Sequence, residues 1–209
     1  MPPTTMPANR FILNKITNDI FYWENCFEDI NGILKELNEI QSEKIKIVSE
    51  TGILGMDLNQ WDLPKNNKTR KNILKEMIKC FNEYCAVNKI DKDDYWLSHH
   101  SIGFRYISPS KGMDAHTDVM SLGSDVDLIP SFTMIAYLDS DYSGGEIFFE
   151  DLQIKPSAGS IVIFANPLHG VREMPSGHRT IVMQPLVSFK SYGNSLSKLN
   201  FFPFKEENF

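Results

Sequence analysis

The chain is short of cysteine, of long apolar runs and of positive charge, and each shortage removes a class of protein. Its three cysteines, Cys26, Cys80 and Cys85, form no Cys-x-x-Cys pair, so neither a disulfide framework nor a cysteine zinc site is expected. They read as buried reduced thiols, and the N-terminus (MPPTTMPANR) lacks a charged-then-apolar leader, so a cytoplasmic protein is expected. No apolar stretch nears the roughly 20 residues that a membrane-spanning helix needs. Lys and Arg number 21 against 27 Asp and Glu, a formal charge of −6 that argues against nucleic acid or an anionic membrane as the main partner. There is no Gly/Ser- or Pro-rich linker and no internal repeat, so residues 1–209 are expected to form a single domain. Hydrophobic residues at 42% and charged residues at 23% are ordinary globular values, which exclude wholesale disorder.

What is present changes texture once. Over residues 1–95 the pattern predicts mostly helix, a support region. Phe27, Ile30, Ile33, Leu34, Leu37 and Ile40 recur at helical spacing, as do Ile73, Leu74, Met77, Ile78, Phe81, Tyr84 and Cys85, with Thr69 as the expected cap of the second helix. Residues 96–188 read as short strands: His100–Ile107, Phe132–Leu138, Glu146–Glu150, Ser160–Phe164, Leu168–Val171 and Arg179–Val187. Several of these are apolar on both faces, which a sheet covered on both sides explains, with the two helices as one cover. The expected fold is therefore mainly β with N-terminal helices, a jelly roll buttressed by α-helices. The tail 189–209, with Phe201, Phe202 and Phe204, is too apolar for a linker and is expected to dock or to meet a partner.

Five histidines are available, and His116-Thr117-Asp118 is an H-x-D triplet. In an extended segment residues i and i+2 face the same side, so an imidazole and a carboxylate project together. Alone the triplet is weak, and a hydrogen-bonded surface pair is the plain alternative. His169 follows at the head of a later strand, and two imidazoles with one carboxylate on one face of a metal leave positions open, as in non-haem Fe(II) oxygenases. No cysteine lies near either histidine to complete a structural zinc site. Arg179 stands ten residues beyond His169, across the turn Met174-Pro175-Ser176-Gly177-His178, so the two strands are expected to pair as a hairpin. It shares a strand face with Ile181 and Met183, where a guanidinium needs an anion, and an incoming carboxylate fits its planar fork. Tyr137 and Tyr106 complete the candidates, with plain core positions as their alternative. The loop Val119–Ser131 and Trp61 are candidate substrate contacts, or simply surface.

Residues 102–187 resemble the catalytic core of the prolyl 4-hydroxylase-like Fe(II)/2-oxoglutarate-dependent dioxygenases. The resemblance rests on Tyr106, His116-Thr117-Asp118, Tyr137-Leu138, Gly144-Gly145-Glu146, Lys155-Pro156, Gly159, Phe164, His169 and Arg179. It implies a double-stranded β-helix, with Fe(II) held by His116, Asp118 and His169 and 2-oxoglutarate as co-substrate beside O2. Arg179 and Tyr137 match the positions that hold the far carboxylate of 2-oxoglutarate, Tyr106 a tyrosine lining its pocket, and ascorbate is an expected accessory. The reaction implied is hydroxylation of a C–H bond, of a peptidyl proline in the first instance, with 2-oxoglutarate converted to succinate. A protein or peptide is the expected partner. Pro185 replaces a tryptophan common in the family six residues after the basic position, so the substrate wall differs. Oxidative demethylation of nucleic acid uses the same chemistry, but its enzymes carry a second arginine at the position of Pro185. The sequence also leaves open a small metabolite as substrate, or a non-catalytic metal-binding module.

Overall fold

Every residue of the strand Phe132–Tyr137 is buried, and successive side chains enter two different cores. Phe132, Met134 and Ala136 join one cluster with helical residues, whereas Ile135 and Tyr137 join another. That period of two is the strand's own geometry, and it sets the architecture: one sheet with apolar matter on each side.

The computed structural model describes residues 19–44, 48–49, 58–61, 67–98, 103–107, 109, 111–121, 127–199 and 201–205. In chain order, β1 (Ile20–Trp23), α1 (Ile30–Lys44), β2 (Val48–Ser49), β3 (Leu58–Trp61) and α2 (Lys68–Asn88) come first. They are followed by β4 (Tyr95–Ser98), β5 (Gly103–Ile107), β6 (Met113–His116), β7 (Met120–Ser121), β8 (Asp127–Leu128) and β9 (Phe132–Tyr137). Next are β10 (Tyr142–Ser143), β11 (Ile147–Phe149), β12 (Leu152–Ile154), β13 (Ser160–Phe164), β14 (His169–Val171), β15 (Ser176–Gly177) and β16 (Arg179–Ser188). The tail adds α3 (Phe189–Tyr192), α4 (Ser195–Lys198) and β17 (Phe201–Pro203).

A large sheet runs β1-β13-β9-β16-β5-β3-β2, with β4 on β16 and β17 on β4. A four-stranded sheet, β12-β11-β14-β6, faces it. Between the two lie Ile107, Ile135, Tyr137, Ile147, Phe149, Val162 and Ile181, the filling of a jelly roll. On the outer side of the large sheet, Ile33 and Leu37 of α1 and Ile73, Leu74, Met77 and Phe81 of α2 pack on Met134, Ala136, Ile161, Ile163 and Val182. The helices are thus the cover that the doubly apolar strands require. Phe81 is fully buried and meets Tyr95, Phe132 and Phe204 with ring centroids 5.7, 6.0 and 5.6 Å away. The aromatic tail therefore docks on this chain.

Three expectations are corrected. The first 95 residues are not uniformly helical: β1 pairs with β13 from Ile20↔Phe164 to Trp23↔Ile161, and β2 and β3 extend the other edge. Four bulky residues in a row, Ile20-Phe21-Tyr22-Trp23, are too short for an amphipathic helix and bury both faces as a strand. The cap of α2 is Asn67, whose side chain accepts from the Arg70 amide at 2.8 Å, while the Thr69 hydroxyl donates to Glu36. Finally, β14 and β16 form no hairpin. His169 lies in the small sheet between β11 and β6, and Arg179 in the large one between β9 and β5. The turn between them carries the chain from one sheet to the other, so the two residues stand in opposite sheets of the barrel.

Phe81→Ala should lower stability by about 3–5 kcal/mol in urea denaturation, the range for deleting a buried phenylalanine. A loss below about 1 kcal/mol would show that the helices and tail do not share one core with the sheet.

Candidate active site

His116 and His169 are paired directly across the antiparallel strands β6 and β14, which brings their rings to 4.6 Å between centroids. Asp118 follows His116 by two residues, and its Oδ1 lies 3.7 Å from His116 Nε2 and 3.8 Å from His169 Nε2. All three ligand atoms fall within 4.8 Å of one another. His116 Nδ1 is 2.8 Å from the Asp114 carbonyl, and His169 Nδ1 is 2.9 Å from the Pro167 carbonyl. A carbonyl can only accept, so both Nδ1 atoms carry a proton, and Nε2 of each ring is the nitrogen turned toward the carboxylate. Burial lowers the His169 pKa, opposed by the Pro167 carbonyl and Asp118, which favours the neutral ligand form at neutral pH. Two imidazoles and one carboxylate, all on one side, suit a divalent iron with open positions on the other.

Asp118 is fixed on every side. Its Oδ2 accepts from the Thr133 hydroxyl at 2.5 Å, which leaves Oδ1 as the atom presented to a cation. Its backbone is clamped by Asn166: the amide donates to Asn166 Oδ1 at 2.7 Å, and Asn166 Nδ2 donates to the carbonyl at 3.1 Å. Asn166 sits at φ 45°, a left-handed conformation that asparagine tolerates better than most residues. The clamp joins the loop after β6 to the turn before β14, and so couples Asp118 to His169. Sequence reasoning missed Asn166 and Thr133, because nothing in their spacing announces them.

Across the barrel, Arg179 is 3% exposed. Its Nη1 donates to the Gly145 carbonyl at 2.8 Å, and its Nε is buried with no partner. The rings of Tyr137 and Tyr142 stand 5.9 and 5.8 Å from the guanidinium carbon. Burial pushes the Tyr137 pKa up to about 12 and raises that of Tyr142 as well, so both phenols stay protonated donors. The Tyr142 hydroxyl is buried, with the Arg179 guanidinium as its polar neighbour. A buried guanidinium with an unpartnered Nε, set beside two buried phenols, forms a receptor that a carboxylate satisfies, and 2-oxoglutarate ends in one.

Gly145 makes this receptor possible. At φ 68° it occupies a glycine-favoured region, and a Cβ there would stand 3.2 Å from the Tyr142 ring and 3.5 Å from Arg179 Nη1. Lys155 Nζ lies 4.1 Å over the Tyr142 ring and donates to the Tyr142 and Gly144 carbonyls, holding the same turn.

Tyr106 is not brought to this cluster. It pairs with Thr180, on the face of β5 opposite Ile107 and Arg179, and its ring stacks on His178 at 4.8 Å. Strand alternation decides this: Ile107, not Tyr106, faces the barrel interior. Of the candidate substrate contacts, β7 and β8 pair the ends of the Val119–Ser131 loop, whereas residues 122–126 and the Trp61 side chain lie outside the described residues.

Comparison with known proteins agrees with this geometry. Residues 102–184 match the model of the 2OG-Fe(II) oxygenase superfamily. No curated protein matches the chain's sequence. Among solved structures, the viral collagen prolyl hydroxylase of Paramecium bursaria chlorella virus-1, in a 2-oxoglutarate complex, is similar at TM-score 0.56 and 17% identity, covering 81% of this chain and 95% of that one. A Pseudomonas putida prolyl-4-hydroxylase aligns at TM-score 0.57 and 16% identity, with 82% and 94% covered. A Trichoplax adhaerens prolyl hydroxylase, in complex with a hypoxia inducible factor peptide, aligns at TM-score 0.55 and 14% identity, with 86% and 88% covered. Residues 102–184 thus resemble a 2OG-Fe(II) oxygenase domain in sequence pattern, and the chain shares its fold with these structures.

Asn166→Ala should weaken divalent-metal binding by about 10- to 100-fold, the usual effect of losing a residue that orients a ligand; unchanged affinity in a metal titration would remove the clamp from the account. A second prediction concerns Asp139, which is 6% exposed, with Oδ2 accepting the Thr180 amide at 2.9 Å and Oδ1 unpartnered. Burial raises its pKa, opposed by Thr180, His178 and Arg179. The folded state therefore holds this proton more tightly than the unfolded chain, and its charge costs stability as pH rises through the folded pKa. Asp139→Asn keeps an acceptor for Thr180, so its melting temperature should equal or exceed that of the wild type at neutral pH, with the gap shrinking toward pH 4. A variant markedly less stable at neutral pH than at pH 4, relative to wild type, would contradict this sign.

Proposed function

We propose that the chain hydroxylates a C–H bond of a peptidyl prolyl side chain, with Fe(II) at His116, Asp118 and His169 and with 2-oxoglutarate on Arg179. The observation that carries the reading is the convergence of two imidazole Nε2 atoms on one oxygen of Asp118, in a barrel whose opposite wall holds a buried, incompletely paired arginine.

When bound there, Fe(II) and 2-oxoglutarate supply oxidising power: one atom of O2 goes to the substrate as hydroxyl and the other to succinate, with release of CO2. The chain's own residues supply the rest. His116, Asp118 and His169 confine the metal contacts to one side, and Thr133 and Asn166 keep the carboxylate from turning. Arg179, with Tyr137 and Tyr142, fixes the co-substrate by the end remote from the metal and so orients its other end. Phe164 and Phe149 pack on His169, at centroid distances of 4.6 and 6.1 Å, and keep that side of the site dry.

The substrate assignment draws support from the rim. Val119 and Leu168, next in sequence to Asp118 and His169, are 56% and 57% exposed, an apolar border that suits a proline ring better than a charged backbone. Pro185 in place of a second arginine and the net charge of −6 weigh against nucleic acid. No helix among the described residues is long and apolar enough to cross a membrane.

Aerobic incubation with Fe(II), ascorbate and 2-oxoglutarate should yield succinate, and proline-containing peptides should gain the mass of one oxygen atom. His116→Ala should abolish metal binding and turnover together, while Arg179→Ala should chiefly weaken 2-oxoglutarate binding. No succinate from the metal-loaded wild type, with or without peptides, would leave a metal-binding module instead.

A further inference from the structure

Among the described residues, Arg179 is one of two arginines on the barrel-facing side of the large sheet. Arg105 is the other. On β5 it stands opposite Ile181, two positions along from the Ile107↔Arg179 rung, so it shares a face with Arg179 and Ile107. Its side chain is poorly satisfied. Nη1 donates to the Met183 thioether at 3.2 Å, a weak acceptor, and Nε is buried with no partner. No carboxylate among the described residues pairs with it. Burial lowers its pKa, and Asp118, the acidic group whose field reaches it, opposes that shift.

That compensation from Asp118 is spent once the metal binds. A divalent cation takes up the aspartate's charge, and the two carboxylates of 2-oxoglutarate then balance what remains of the metal's charge and that of Arg179. Arg105 is left as a surplus buried cation. A guanidinium in such surroundings is costly unless an anion meets its donors, and a planar fork with open N–H groups is suited to carboxylate. A role limited to packing would be served by an apolar side chain, since Met183 and Ile181 surround it.

We propose that Arg105 is a second carboxylate-binding residue of the barrel interior, receiving either the 2-oxoglutarate carboxylate that Arg179 does not hold or an acidic group of the substrate. It rests on the oxygenase reading above and adds a charge requirement to it. In the first case Arg105 orients the co-substrate at its metal-facing end. In the second it selects prolines with an acidic neighbour.

The test uses the full chain loaded with Mn(II) under anaerobic conditions, so that binding is read without turnover. Calorimetry gives 2-oxoglutarate affinity for wild type, Arg105→Met and Arg105→Lys, and Mn(II) affinity shows that each variant retains the metal site. Proline peptides bearing Glu beside the proline are compared with their Gln counterparts at saturating 2-oxoglutarate. A loss of 2-oxoglutarate affinity on the order of tenfold or more in Arg105→Met, partly rescued in Arg105→Lys, supports the co-substrate source. Unchanged 2-oxoglutarate affinity with a Glu-over-Gln preference that vanishes in Arg105→Met supports the substrate source. Should Arg105→Met not fold, Arg105→Lys reads the same two quantities as smaller losses. Affinity for 2-oxoglutarate indifferent to Arg105, together with no Glu preference or one that survives the substitution, overturns the inference while leaving the oxygenase reading intact. Absence of any 2-oxoglutarate binding to the loaded wild type would overturn both.

Discussion

The site depends on how one carboxylate is divided. Asp118 gives Oδ2 to the Thr133 hydroxyl and turns Oδ1 toward two imidazole nitrogens at 3.7 and 3.8 Å. Left alone, an aspartate on a loop would rotate and offer either oxygen. Here Thr133 reaches it from the large sheet, Asn166 from the turn before β14, and His116 from the strand before it. The three side chains that could hold a metal are therefore tied to both sheets, and one side cannot be loosened without disturbing the other. The same logic holds across the barrel, where Gly145 and Lys155 shape the turn that lets Arg179 lie beside two tyrosines.

Both halves of the site follow from a sheet with two apolar faces. The helices cover one face of β9, β13 and β16, which frees the other to line a closed interior. In that interior a buried cation with unmet hydrogen bonds is unfavourable, and a carboxylate ligand relieves it. Arg179 and Arg105 are both placed this way, as alternate-strand neighbours on one wall. The chemistry of the interior is thus set by the unmet donors of these two arginines as much as by the groups already paired.

Much of this was legible in the sequence, for identifiable reasons. The doubly apolar run Phe132–Leu138 announced a covered sheet, and the helical stripes around Leu37 and Met77 announced the cover. The meeting of His116, Asp118 and His169 was legible because few residue types can bind metal and their order is distinctive. Other parts were not. Asn166, Thr133 and Tyr142 act through contacts made only when distant segments meet, and no local pattern marks them. The hairpin expected between His169 and Arg179 failed because an even offset tells which face a residue takes only if both strands lie in one sheet. Tyr106 failed by a single position: strand alternation sends Ile107 and Arg105 inward and Tyr106 out. The strand Ile20–Trp23 was hidden by its helical surroundings, its type being decided by pairing with β13 rather than by propensity.

The most direct test of the central claim is X-ray absorption at the iron edge of the anaerobically Fe(II)-loaded chain, before and after adding 2-oxoglutarate. The account predicts one ion per chain with two imidazole nitrogens and otherwise oxygen ligands, and an oxygen shell that changes when 2-oxoglutarate arrives while both imidazoles stay. A site with one imidazole or three, with sulfur, or with a coordination shell indifferent to 2-oxoglutarate would contradict it.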